Sequence, residues 1–173
     1  MRAKAKAPAK KAPKAKRSTG QAEGRCVCGE VVIEIDVPAF WAWHDHSRVT
    51  RHAHGAAYAT YIGCWKSKVR VIAGAVQVSH FEDKAIGSSR HFCARCGTPL
   101  FYERAHSPRM VNIPRALFQT RTGREPRYHL GLSEAADWEY RGETLAPLKG
   151  FPGVMWVRPK GKKKKASAFD EEF

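Results

Sequence analysis

The chain has 173 residues, of which 43% are hydrophobic and 27% charged, enough for one domain with a packed core. Its formal net charge of +15 suggests a nucleic-acid partner until the charges are located: residues 1–20 hold +8 and residues 158–173 hold +3, which leaves about +4 for residues 21–157. No run of roughly eighteen apolar residues occurs, so a membrane-spanning helix is excluded and no membrane partner is expected.

Residues 1–20 cycle through Ala, Lys and Pro with no aromatic residue. Such a stretch cannot bury enough surface to offset its ordering entropy, so a disordered basic tail is expected there. The basic start lacks the apolar stretch of a secretory leader, and a cytoplasmic protein is expected. Glu30-Val-Val-Ile-Glu-Ile-Asp36 alternates branched apolar and acidic residues with the period of two of a half-buried strand, closed by Pro38. Tyr58 to Ile62 and Lys68 to Ile72 read as strands, Gly74 as a turn, and Val76 to Phe81, Leu100 to Glu103 and Met110 to Ile113 as further strands. Pro114 to Thr120 suits a short helical turn, because proline's fixed φ fits the first helical position. Short strands punctuated by Gly and Pro predict a mainly β domain of antiparallel sheets over residues 21–153. Residues 154–173 are Lys-rich and then acidic, and a second disordered tail is expected there. Phe40, Trp41, Trp43, Tyr58 and Trp65 are expected to serve the core rather than to stack on nucleic-acid bases.

Five cysteines fit a metal site plus one spare thiol in a reducing compartment better than a disulfide framework. Cys26-Val-Cys28-Gly29 and Cys93-Ala-Arg-Cys96-Gly97 are two close pairs far apart in the chain, each followed by a glycine that lets backbone amides turn toward sulfur. Two such knuckles can fill every position of a tetrahedral zinc and leave none for substrate, so Cys26, Cys28, Cys93 and Cys96 are expected to hold one structural zinc ion. Cys64, inside the apolar run Tyr58 to Trp65, reads as a buried and inert thiol.

These knuckles belong to a longer pattern: Gly24-Arg-Cys26-Val-Cys28-Gly29-Glu-Val, then His54-Gly55-Ala-Ala-Tyr58, then Arg90-His-Phe-Cys93-Ala-Arg-Cys96-Gly97-Thr-Pro-Leu100, with Pro126-Arg-Tyr-His129-Leu and Trp138 closing it. The pattern resembles the glutathione-dependent formaldehyde-activating enzyme family, which also includes centromere protein V, over about residues 21–153. The resemblance implies an Mss4-like, zinc-containing β fold with Cys26, Cys28, Cys93 and Cys96 as the structural ligands. It also implies a second zinc held by three cysteines, and here the chain departs. Anchored on Trp41 and Gly55 without gaps, those three positions fall on Asp45, Ser47 and Thr50. A register shifted by one places His44 and His46 on the first two and Val49 on the third, so neither alignment restores the three thiolates.

Residues 44–54 nonetheless hold His44, Asp45, His46, His52 and His54, four of the chain's eight histidines. Two readings stay open: a solvated or hydrogen-bonded set around a lost pocket, or a recruited second metal site on His44, His46, His52 and His54. If the segment is extended, His44 and His46 share one face, as do His52 and His54, with Asp45 opposite.

Two functions follow. The resemblance implies a carbon–sulfur lyase acting on adducts of glutathione, or another small thiol, with formaldehyde or another aldehyde. Whether this chain is an enzyme stays open, because Asp45, Ser47 and Thr50 replace the thiolates of the second site. If chemistry survives, His46 and Asp45 are the candidate catalytic groups, and Arg48, Arg51 and Arg90 are candidates to pair with glutathione carboxylates. The alternative is a non-catalytic zinc scaffold attached to nucleic acid by its basic tails through sequence-independent phosphate contacts.

Overall fold

A computed structural model describes residues 20–139 and 145–157. Most of both expected tails therefore lies outside the described residues, and with them the nucleic-acid attachment. Among the described residues no helix is long and apolar enough to cross a membrane. In chain order the elements are β1 (Gly20–Arg25), β2 (Val32–Val37), β3 (Trp41–Asp45), α1 (Arg48–His54), β4 (Ala59–Trp65), β5 (Val69–Ala73), β6 (Val78–Asp83), β7 (Ser88–Cys93), β8 (Pro99–Arg104), β9 (Met110–Pro114), β10 (Tyr128–Leu130), β11 (Leu145–Pro147) and β12 (Met155–Val157). The fold is mainly β, as expected.

The strands form a three-stranded sheet in the order β1-β2-β5 and a nine-stranded sheet in the order β11-β12-β10-β3-β4-β9-β8-β7-β6. Pairing is antiparallel except between β10 and β3, which run parallel with His129 opposite His44. Alternation along β4 decides what each face of the large sheet carries. Ile62 and Cys64 point toward the small sheet and join Ile33 and Ile35 of β2 and Val111 and Ile113 of β9 in the main core. Each such side chain, wholly enclosed, contributes about 1.5–3 kcal/mol of hydrophobic stabilisation. Ala59 and Tyr61 point the other way, into an aromatic cluster with Trp43 and Tyr102, flanked by Trp41, Tyr128 and Leu130. Gly63 shares that face, and a Cβ there would lie 2.5 Å from the Trp41 ring. Glycine lets the indole lie flat on the strand and stack on Trp43 with ring centroids 4.4 Å apart.

Several expectations are corrected. Residues 48–54 form a helix rather than an extended or irregular loop. Ser47 caps its start by accepting the Thr50 amide, and Gly55, at φ 59°, ends it in the left-handed conformation. The expected helical turn over 114–120 shrinks to a 3-10 turn at Arg115–Leu117, since Pro114 ends β9. The strand expected at 76–81 begins at Val78, after a 3-10 turn at Ala75–Gln77. The ordered domain continues past Gly153, because Met155–Val157 pairs with both β10 and β11. Of the five aromatic residues assigned to the core, Trp41 and Trp43 are packed there, whereas Phe40, Tyr58 and Trp65 are exposed.

Candidate metal centre and adjoining cavity

The link from β1 to β2 carries Cys26 and Cys28, and the link from β7 to β8 carries Cys93 and Cys96. Their four sulfurs lie within 4.8 Å of one another. Cys26 and Cys28 Sγ are 3.4 Å apart, and Cys28 and Cys93 Sγ 3.8 Å. The glycines do what their position requires: Gly29 and Gly97, at φ 79° and 71°, turn the chain so that their amides donate to the carbonyls of Cys26 and Cys93. Val31 N–H then donates to Cys26 Sγ at 3.3 Å. Thr98 joins the two knuckles, since its hydroxyl accepts from the Val27 amide at 3.1 Å and lies 3.1 Å from Cys96 Sγ.

The electrostatics fit a cation. Hydrogen bonds from the Thr98 hydroxyl and amide bring the Cys96 thiol down to about 5. At Cys28 the Glu30 amide favours the thiolate, but desolvation and the three neighbouring thiols push it up to about 12. Four sulfurs this close cannot all ionise against one another. A divalent ion among them would remove that conflict and tie the two sheets together at one point. These four residues could hold a metal ion. Cys64 stands apart, buried in the main core, where burial pushes its thiol up to about 12.

The three positions where the family pattern carries second-site thiolates form a different structure. Asp45, nearly enclosed at the end of β3, accepts the Ser47 amide on Oδ1 at 3.0 Å, and Ser47 Oγ in turn accepts the amide of the buried Thr50 at 3.4 Å. The Asp45 and Ser47 side chains thus serve a strand-to-helix corner and its cap, the latter through the Thr50 amide.

The histidines of residues 44–54 are dispersed. His44 lies on β3 with Nδ1 2.9 Å from Thr60 Oγ1, and His52 faces solvent on α1. His54 Nε2 is 2.6 Å from the Tyr61 hydroxyl. His46 is wholly enclosed, with Nε2 2.8 Å from His129 Nδ1 and Nδ1 2.6 Å from Glu139 Oε1. The structure therefore does not bring His44, His46, His52 and His54 to one point. His129 and Glu139 were missed as partners of His46. They reach it through the parallel β10–β3 pairing and the following turn, which leave no local periodic signal.

On the aromatic face of the large sheet lies a cavity of about 360 Å³. His54 of α1, Tyr61 of β4, Arg90 of β7 and Tyr102 of β8 line it, together with Gly97 and Pro99 beside the second knuckle. Burial and the Arg90 charge hold His54 below the usual imidazole range, with Asp45 opposing them. Burial also pushes Tyr61 up, while Arg90 and Thr50 favour its phenolate. Neutral His54 therefore faces a neutral Tyr61 across a short hydrogen bond. Of the three arginines considered for carboxylates, Arg90 alone lines this cavity. Arg51 donates instead to the carbonyls of His46 and Glu134, and the Arg48 amide to Glu134 Oε2.

A small two-sheet domain clamped by four cysteines, with a polar and aromatic cavity beside the clamp, defines a class of metal-site β proteins. Within it, the model of the glutathione-dependent formaldehyde-activating enzyme family matches residues 21–134, and the chain belongs to that family. No curated protein matches the chain. Among solved structures it is similar to a Rhodobacter sphaeroides protein, at 21% identity and a TM-score of 0.48, over 57% of this chain and 89% of that one.

Proposed function

We propose that the chain is a zinc-stabilised enzyme that makes or breaks the carbon–sulfur bond of adducts between a small thiol, such as glutathione, and an aldehyde, such as formaldehyde. The observation that carries this reading is the 2.6 Å contact between His54 Nε2 and the Tyr61 hydroxyl on the wall of a cavity that Arg90 also lines. In the breaking direction the adduct is a thioether bearing CH2–OH on sulfur. Tyr61 takes the proton of that hydroxyl as it passes its own to neutral His54. The oxygen electrons form the carbonyl, and the carbon–sulfur pair moves to sulfur, leaving a thiolate. The thiolate is protonated from His54, and the reverse sequence joins thiol and aldehyde. Asp45 favours the protonated His54 of the intermediate stage. His46, held by His129 and Glu139, positions the corner that leads into α1. Neither Asp45 nor His46 is assigned a contact with substrate.

Zinc on Cys26, Cys28, Cys93 and Cys96 would hold the two knuckles and, through Gly97 and Pro99, one wall of the cavity. A cytoplasmic location suits free thiols of this kind, which an oxidising compartment would convert to disulfides. The test is exchange NMR of purified protein with formaldehyde and either glutathione or mercaptoacetate. Adduct formation and breakdown are expected to outpace the protein-free rate, and Tyr61→Phe is expected to lower that excess about 100-fold. Rates equal to the protein-free reaction with both thiols would overturn the reading.

A further inference from the structure

Arg90 is half-buried on the cavity wall, within reach of the Tyr61 hydroxyl. Its carbon lies 5.1 Å from the centroid of the Tyr102 ring, and its Nε is buried without a hydrogen-bond partner. Among the described residues Arg90 forms no ion pair within 4.0 Å. Among the described residues no Asp, Glu or Lys lines the cavity, and Arg90 is the one permanently charged wall residue among them. The nearby carboxylate, Asp45, lies behind the wall and is engaged by the Ser47 amide. Burying a guanidinium in apolar surroundings is offset by a partner that accepts two parallel N–H bonds, which a carboxylate does.

Beside Arg90, the residues His54, Tyr61, His91 and Tyr102 bring polar groups, and apolar residues complete the lining. Phe81, which pairs with Arg90 across the strands, and Phe92, two residues on from it, share the Arg90 face, and Pro99 and Pro114 add further apolar surface. Phe81 is 60% exposed on β6, the edge strand of the large sheet, so a ligand body lying on it would remove apolar surface from water. Glutathione presents two carboxylates and an ammonium group. Among the described residues this wall offers one cation and no acid, and these leave one carboxylate and the ammonium of glutathione without partners.

We propose that the thiol handled at this cavity is a mercapto-acid with a single carboxylate, held by Arg90, and an apolar body that lies on Phe81 and Phe92 with its sulfur toward Tyr61. The inference rests on the carbon–sulfur reading above for the thiol end alone. Its test reads binding of a thiol-free acid, so failure of the one is distinguishable from failure of the other.

The probes are 3-phenylpropanoate, its uncharged amide and glutathione, titrated into the full chain by amide NMR. Wild type is expected to bind phenylpropanoate saturably, at least tenfold more tightly than the amide and more tightly than glutathione. Arg90→Gln is expected to weaken the acid at least tenfold and leave the amide unchanged, while Arg90→Lys recovers part of the loss. Phe81→Ala, at an exposed side chain, is expected to weaken phenylpropanoate severalfold and leave acetate unchanged. Equal wild-type affinity for acid and amide overturns the proposal without any variant. So does tighter binding of glutathione than of phenylpropanoate, or absence of saturable binding of the acid.

Discussion

The knuckles at Cys26–Cys28 and Cys93–Cys96 and the corner from Asp45 to Thr50 are, in the ungapped register, the two regions where the family resemblance implies thiolates, and only the first has them. In the first, sulfurs from two distant links converge within 4.8 Å, and backbone amides turn toward them. In the second, the same structural duty falls to hydrogen bonds: Asp45 accepts from Ser47, and Ser47 caps α1 through the Thr50 amide. A metal centre joins segments far apart in sequence, whereas a cap joins neighbours. With a metal bound, the first region would hold the two sheets to each other, whereas the second sets only the direction in which α1 leaves β3. That direction still matters, because α1 carries His54 to Tyr61.

The largest expected effect lies in the knuckles. Cys93 is fully buried within the four-sulfur cluster, and Cys93→Ser replaces a thiolate by a hydroxyl that binds metal weakly at neutral pH. Metal content is expected to fall from one per chain to near zero. The loss of about 5 kcal/mol or more corresponds to a melting temperature lower by more than about 10 °C. Elemental analysis with thermal unfolding checks both. An unchanged melting temperature together with unchanged metal would show that the knuckles are not the clamp.

A smaller effect is expected at the corner. Ser47→Ala removes the cap acceptor from Thr50 and is expected to cost about 0.5–2 kcal/mol in urea unfolding, with metal content unchanged. The companion triple variant Asp45→Cys, Ser47→Cys, Thr50→Cys returns the family's donors, and its metal content is expected to rise from one to two per chain. A Ser47→Ala protein that loses metal would mean that the two regions are coupled and that the contrast between them is wrong.

Much of the first region was legible in the sequence and little of the second. The cysteine spacing with its trailing glycines is a local signal, and the alternation of residues 30–36 marked β2 for the same reason. Helix α1 has only seven residues and no apolar stripe, and it holds through Ser47, Gly55 and the Arg51 contact with Glu134, a residue far along the chain. Strands β10 and β12 are three residues each, too short for periodicity, and gain their identity from pairing with β3 and with each other. The cavity was legible least. His54, Tyr61, Arg90 and Tyr102 come from four elements, and only the sheet order brings them to one face. The histidine-rich run drew attention to residues 44–54, but of its histidines only His54 lines the cavity.

The smallest expected effect concerns that residue. Burial and Arg90 hold folded His54 below its ordinary 6.5, so between its depressed value and 6.5 the unfolded chain binds more protons than the folded one. Stability should therefore be unaffected by His54 above 6.5, fall as pH drops through that window, and level off once the folded His54 is protonated too. The side chain is only partly buried, so solvent screening keeps its contribution to a few tenths of a kcal/mol, about. Urea unfolding at about pH 7.5 and pH 5 measures the slope, which His54→Gln is expected to reduce. An equal slope in the variant would mean that folded His54 is no harder to protonate than in the unfolded chain. Its neutrality beside Tyr61 above 6.5 would then owe nothing to burial or to Arg90.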